Sequence, residues 1–84
     1  MQEEQDVVLS IHVTEDETET MAVAKLDLRG EHFEAIGSAR RNPIDPPKPL
    51  IGEELAIARA LGLLQHQITE SAQDKIERFL VRQN

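Results

Sequence analysis

From Val7 to Val13 apolar and polar positions alternate. Val7, Leu9, Ile11 and Val13 fall on one face, and Val8, Ser10 and His12 on the other. Period two with β-branched residues predicts a half-buried strand. Glu15–Glu19 is a charged loop with no apolar anchor. A second alternation runs from Thr20 to Leu28: Ala22, Ala24, Leu26 and Leu28 share one face, Met21, Val23, Lys25 and Asp27 the other. Arg29-Gly30 signals a tight turn, because glycine accepts positive φ. A third strand is predicted over 32–40, with Phe33, Ala35, Gly37 and Ala39 as its small apolar face. Short connections make the three strands an antiparallel meander.

All four prolines lie in the next stretch, Asn42 to Pro49. Proline fixes φ and removes a donor, so this segment reads as a stiff extended connector. Gly52 is the expected N-cap of a helix, with Glu53 and Glu54 in its first turn complementing the dipole. Leu55, Ala58, Leu61, Leu64 and Ile68 follow helical spacing, widened by Ile57 and Ala60. That helix is expected to end near Gln67. Ser71 and Asp74 resemble a capping box, opening a short terminal helix with Ala72, Ile76, Phe79 and Leu80 as its apolar face. The predicted fold class is α+β: a three-stranded antiparallel β-meander followed by two helices packed on one face. Residues 1–5 read as a disordered acidic tail and 6–84 as a single domain.

Composition adds limits. A chain of 84 residues buries only roughly 60–65% of its unfolded surface, so its margin of stability is thin. It has no cysteine, which removes disulfides and thiolate metal sites. The acidic start lacks the parts of a signal peptide, and no apolar run is long enough for a membrane; a cytoplasmic location is the expectation. The net charge of −7 belongs to the N-terminal part, where Glu3, Glu4, Asp6, Glu15, Asp16, Glu17 and Glu19 stand without a base. Overall acidity argues against non-specific nucleic-acid binding, which depends on Lys and Arg neutralising phosphates. The absence of Trp and Tyr argues against base stacking.

Candidate chemistry is sparse. His12, His32 and His66 show no metal-ligand spacing. Glu53 and Glu54 point about 100° apart on a helix and do not share a substrate. The serines lack a nucleophile elbow, and the glycines form no phosphate loop. The chain therefore reads as a non-enzyme without cofactor or metal. Two surfaces remain. Helices cover one sheet face and leave the other bare, where Val8, Met21, Val23 and Ile36 form a candidate homodimer surface. Arg40, Arg41 and Lys48, joined by Arg59, form a candidate basic cluster. It suits phosphate or RNA, or it pairs with Asp45, Glu53 or Glu54 to fix the loop on the helix.

Two stretches are more specific than composition: Ala39-Arg40-Arg41-Asn42-Pro43-Ile44-Asp45, and Ile51-Gly52-Glu53-Glu54-Leu55-Ala56-Ile57-Ala58-Arg59-Ala60-Leu61. Following a β-meander, they resemble the actinobacterial family of small proteins with a double-stranded-RNA-binding-domain-like fold, classed as a domain of unknown function. The resemblance covers Val7 to Phe79. It implies a β-β-β-α-α order, an association with dormancy or hypoxic stress, and, through a dimer likened to ribosome hibernation factors, ribosomal RNA as a partner. It implies no catalytic residue. The chain departs from RNA-binding relatives in lacking an opening helix and a lysine cluster at the last helix, where Ser71-Ala72-Gln73-Asp74-Lys75 stands instead. The competing expectation is a homodimeric protein-interaction module with no nucleic-acid role.

Overall fold

The computed structural model describes residues 2–41 and 49–83. Three strands, β1 (Leu9–Glu15), β2 (Glu19–Leu28) and β3 (Glu31–Arg40), form one antiparallel sheet in the order β1-β2-β3. The meander is the predicted one, with β1 shifted two residues toward the C-terminus. Asp16 closes the first hairpin. Its Oδ1 accepts the amides of Thr18 and Glu19, each at 2.8 Å. The second hairpin has a two-residue loop, since Leu28 pairs with Glu31. Arg29 and Gly30 both take positive φ, 47° and 83°, as a turn matched to the twist of its strands requires.

A single helix follows, α1 (Pro49–Gln83), of 35 residues. At 1.5 Å per residue it is about 52 Å long, and it sets the longest dimension of the molecule, 59 Å. The expected break near Gln67 and the second helix are absent. Residues 67–71 contain neither glycine nor proline, and side chains bridge successive turns there. Gln65 Nε2 donates to Thr69 Oγ1 at 3.1 Å, and Thr69 Oγ1 donates to the Gln65 carbonyl at 3.0 Å. His66 meets Glu70 at 3.0 Å. Ser71 caps nothing; its hydroxyl accepts Lys75 Nζ at 2.8 Å. The start differs as well. Pro49 opens the helix, where its missing amide costs no hydrogen bond. Gly52 therefore lies inside the helix, and Glu53 and Glu54 lie beyond its first turn.

The helix lies over β2 and β3 and hardly reaches β1. Small residues make this possible. Ala22, Ala24, Ala35 and Ala39 from the sheet meet Ala56, Ala60 and Leu64 from the helix, with Ile11, Val13, Leu26, Phe33, Ile57 and Ile68 at the margin. Closest approach is at Gly37, where a Cβ would stand 2.3 Å from both the Ala56 carbonyl and the Ala60 amide. So close a backbone leaves room only for methyl groups. The buried stripe is thus rotated from the expected one: Leu55, Ala58 and Leu61 are exposed. Among the described residues no large side chain is fully buried. The terminal part of the helix runs past the core, and Phe79, expected inside, is 60% exposed.

Candidate functional site: the helix outer face and the ends of the sheet

Three contacts tie α1 along the edge of β3. Arg59 Nη1 donates to the Ser38 carbonyl at 2.7 Å, and Gln67 Nε2 donates to the Glu34 carbonyl at 2.9 Å. Lys75 Nζ meets Glu31 Oε1 at 2.7 Å. The helix numbers rise as the strand numbers fall, so the two elements are antiparallel. Eight helical residues span about 12 Å, against about 13 Å for the four strand residues from Ser38 to Glu34 and about 10 Å for the three from Glu34 to Glu31, so the contacts keep roughly in step. Arg59 and Gln67 occupy edge carbonyls that would otherwise invite another strand. The Lys75 ammonium also holds the Glu31 carboxyl below its ordinary pKa.

The basic cluster is partly assembled. Arg41 follows β3, its amide donating to the Thr18 carbonyl at 2.8 Å. Arg40 pairs in register with Glu19. Both arginines therefore sit beside the acidic hairpin tip, which weakens their field. Arg59 comes close to them through Ser38 and is committed there as a structural donor rather than to Glu53 or Glu54. Lys48 and Asp45 lie outside the described residues.

On the open sheet face Val23 pairs with Ile36, and Met21 is in the next row opposite Ser38. These three adjoin; Val8 precedes β1 and stands apart. Polar residues surround the group: His12 is opposite Val23, and Lys25 is opposite Glu34. At the far end of this face His32 lies between two acids, which sequence reasoning missed because they come from different strands. Nδ1 is 2.7 Å from Asp27 Oδ1 and Nε2 is 2.9 Å from Glu34 Oε1. Both ring nitrogens face carboxylates, which favours the imidazolium. The bonds to Glu34 and then Asp27 raise the His32 pKa, and the same contact lowers that of Glu34. Among the described residues no group of three such side chains is arranged to hold a metal ion, and no helix is long and apolar enough to cross a membrane. A shallow open cleft lies between α1 and the β2–β3 turn, with Glu31, Phe33, Gln67, Asp74, Lys75 and Arg78 in its wall.

The largest uncovered apolar surface is on the helix. Ile51, Leu55, Leu61, Ile76, Phe79 and Leu80 are all exposed. Ile51, Leu55, Ile76 and Leu80 lie on the side away from Ala56, Ala60 and Leu64, while Leu61, three residues before Leu64, flanks the buried stripe. Such a helix is apolar on two sides, and only one of them is used within the chain.

Fold and surface together define a small α+β protein whose sheet carries one long helix with a free outer face. The chain belongs to the Rv2632c-like family, whose model matches residues 5–84. It is 38% identical over 69 residues to the uncharacterized protein Rv2632c of Mycobacterium tuberculosis, covering 82% of this chain and 74% of that one. A second relative, the uncharacterized protein Mb1767 of Mycobacterium bovis, is also 38% identical over 69 residues, covering 82% of this chain and 73% of the relative. The crystal structure of Rv2632c superposes with a TM-score of 0.85 at 34% identity, covering 92% of each chain.

Proposed function

We propose that this protein is a non-catalytic interaction module that works as a homodimer. One observation carries the reading: the fully buried positions are alanines, while several of the chain's large apolar side chains are exposed. Leu55, Ile76, Phe79 and Leu80 are between 43% and 60% exposed, while Ala22, Ala24, Ala56 and Ala60 are fully buried. Burying a Leu, Ile or Phe side chain contributes roughly 1.5–3 kcal/mol, and the isolated fold leaves that contribution unused. A core whose centre is mostly alanine supports a small domain poorly, and association would supply further burial. Sedimentation equilibrium from 1 to 100 μM (chosen as roughly the range of ordinary specific affinities) tests this. A dimer is expected; a monomer throughout the range refutes the proposal.

A second reading has support of its own. The resemblance to proteins with a double-stranded-RNA-binding-domain-like fold, some of them stress-associated and likened to ribosome hibernation factors, suggests contact with ribosomal RNA in the cytoplasm. Arg40 ends β3 and Arg41 follows it, and Arg59 of α1 reaches the Ser38 carbonyl beside them, which gives that reading a surface. Co-sedimentation with ribosomes over a salt series tests it. Binding through phosphates falls steeply as salt rises, and Arg40→Glu with Arg41→Glu abolishes it; binding indifferent to both rules it out.

A further inference from the structure

The two edges of the sheet differ. On β3 the helix plugs the outward carbonyls of Ser38 and Glu34 with Arg59 and Gln67. The helix hardly reaches β1, and among the described residues no backbone hydrogen bond meets the outer edge of that strand. Register says which groups are free there. Asp16 donates its amide to the Glu19 carbonyl at 2.9 Å, so these two form a hydrogen-bonded pair. Such pairs alternate along an antiparallel ladder. Ser10, His12 and Thr14 therefore bond to Lys25, Val23 and Met21, and the amides and carbonyls of Leu9, Ile11 and Val13 point away from the sheet. Counted in the same way from the Leu28–Glu31 pair, β3 turns Glu34 and Ser38 outward, as their contacts with the helix require.

Beside this edge lies an apolar shelf. Leu9, Ile11 and Val13 share the sheet face on which the helix lies, and none of them is fully buried. On the helix, Ile57, Leu61 and Ile68 stand roughly opposite Arg59 around the axis, on the side toward β1, and they too are only partly covered. A strand added to β1 runs about 4.8 Å beyond it, with alternate side chains falling against this shelf. Charge marks both ends of the edge. Glu3, Glu4 and Asp6 precede β1, Glu15, Asp16, Glu17 and Glu19 lie at its other end, and the first Lys or Arg of the chain is Lys25. Lys25 stands opposite Glu34, while Arg40 and Arg41 are two strands away, about 10 Å. A second copy of β1 is a poor occupant. Antiparallel pairing centred on Ile11 sets Asp16 of each copy level with Asp6 of the other, acid against acid.

We infer that the free edge of β1 takes an extended segment of a partner protein as a fourth strand, a segment apolar at alternate positions and carrying Lys or Arg at both ends. The backbone groups of Leu9, Ile11 and Val13 hold its main chain. The shelf receives its apolar side chains, and the acids at the two ends of β1 meet its cations. This edge is separate from the outer face of α1, so the inference does not depend on the homodimer reading.

A synthetic peptide of alternating valine and threonine, matched in length to β1 and with lysines at both ends, tests the site. Titrated into the isotope-labelled chain and followed by NMR, it shifts the amides of Leu9, Ile11 and Val13 and protects them from hydrogen exchange. The amides of Ser10 and His12, already bonded to β2, change little. The lysine peptide binds about tenfold more tightly than one with glutamates in place of the lysines, and the preference shrinks as salt rises. Glu15→Gln with Glu17→Gln, both exposed, weakens the lysine peptide several-fold while circular dichroism shows the fold kept. N-methylation of alternate peptide amides abolishes binding on one side of the peptide and leaves it on the other. The inference falls if no amide shifts at about 1 mM peptide, if the glutamate peptide binds equally well, or if the shifts map to the outer face of α1 or the open sheet face. It falls also if Leu9, Ile11 and Val13 become protected without peptide as protein concentration rises, since a second copy then holds the edge.

Discussion

Replacing Gly37 by alanine adds one methyl group at the most crowded point of the molecule. The new Cβ would lie 2.3 Å from the Ala56 carbonyl and the Ala60 amide and 2.9 Å from the Ala60 Cα. All three are backbone atoms of a helix, so no side chain can rotate away. Ordinary contact begins near 3.4 Å, and the helix must lift by roughly 1 Å. A gap of 0.5–1 Å forfeits about a quarter to a half of each dispersion contact it opens. Here it opens the alanine layer that forms the core, and Ala22, Ala24, Ala35 and Ala39 all lose partners. Overpacking costs about 1–3 kcal/mol in ordinary cores; a clash with backbone belongs at the upper end, about 3 kcal/mol. A chain of this size has on the order of 4–13 kcal/mol in all. With a urea slope near 1 kcal/mol per molar, the midpoint falls by about 3 M at unchanged slope. Urea titration followed at 222 nm measures it, at fixed protein concentration because association adds to apparent stability. Gly62→Ala is the control and holds or raises the midpoint. A Gly37→Ala variant within about 0.5 kcal/mol of the parent would refute the reasoning.

Three further outcomes are expected. His32 has a raised folded-state pKa, so its contribution is complete below about 6.5 and is lost as pH rises through the folded value; His32→Asn flattens the stability profile above neutrality, and an unshifted imidazole titration by NMR would contradict the contacts with Asp27 and Glu34. Asp16 has its pKa lowered by the amides of Thr18 and then Glu19, so its contribution is present above about 3.9 and lost as pH falls; Asp16→Ala lowers the melting temperature at pH 7 and much less at pH 2.5. Arg29 holds a left-handed conformation, which costs a non-glycine residue roughly 1–2 kcal/mol; Arg29→Asn, better suited to that turn, raises stability by about 0.5–1 kcal/mol, and a fall in melting temperature would count against the turn assignment.

The sequence by itself determined the sheet. Period-two alternation from Leu9, Ala22 and Phe33 assigned the inner face, and Arg29-Gly30 marked the tight hairpin, because strand pleat and turn geometry are local properties. It also marked Ala35, Gly37 and Ala39 as a small apolar face of the third strand. The helix was read less well. The Ser71–Asp74 spacing suggested a cap, but a cap works only where the helix stops, and no breaker stops it there. Helical spacing placed Leu55, Leu61, Ile76 and Phe79 in the core, since periodicity finds an apolar stripe without saying what covers it. Only the tertiary structure decided that question. Gly37 brings the helix backbone so close to the sheet that alanines fill most of the space between them, Leu55 is left exposed, and Phe79 lies where the helix has run past the core. The same packing decided the fate of Arg59, tied to the Ser38 carbonyl by the antiparallel seating of helix on strand, and of His32, placed between two acids by strand register.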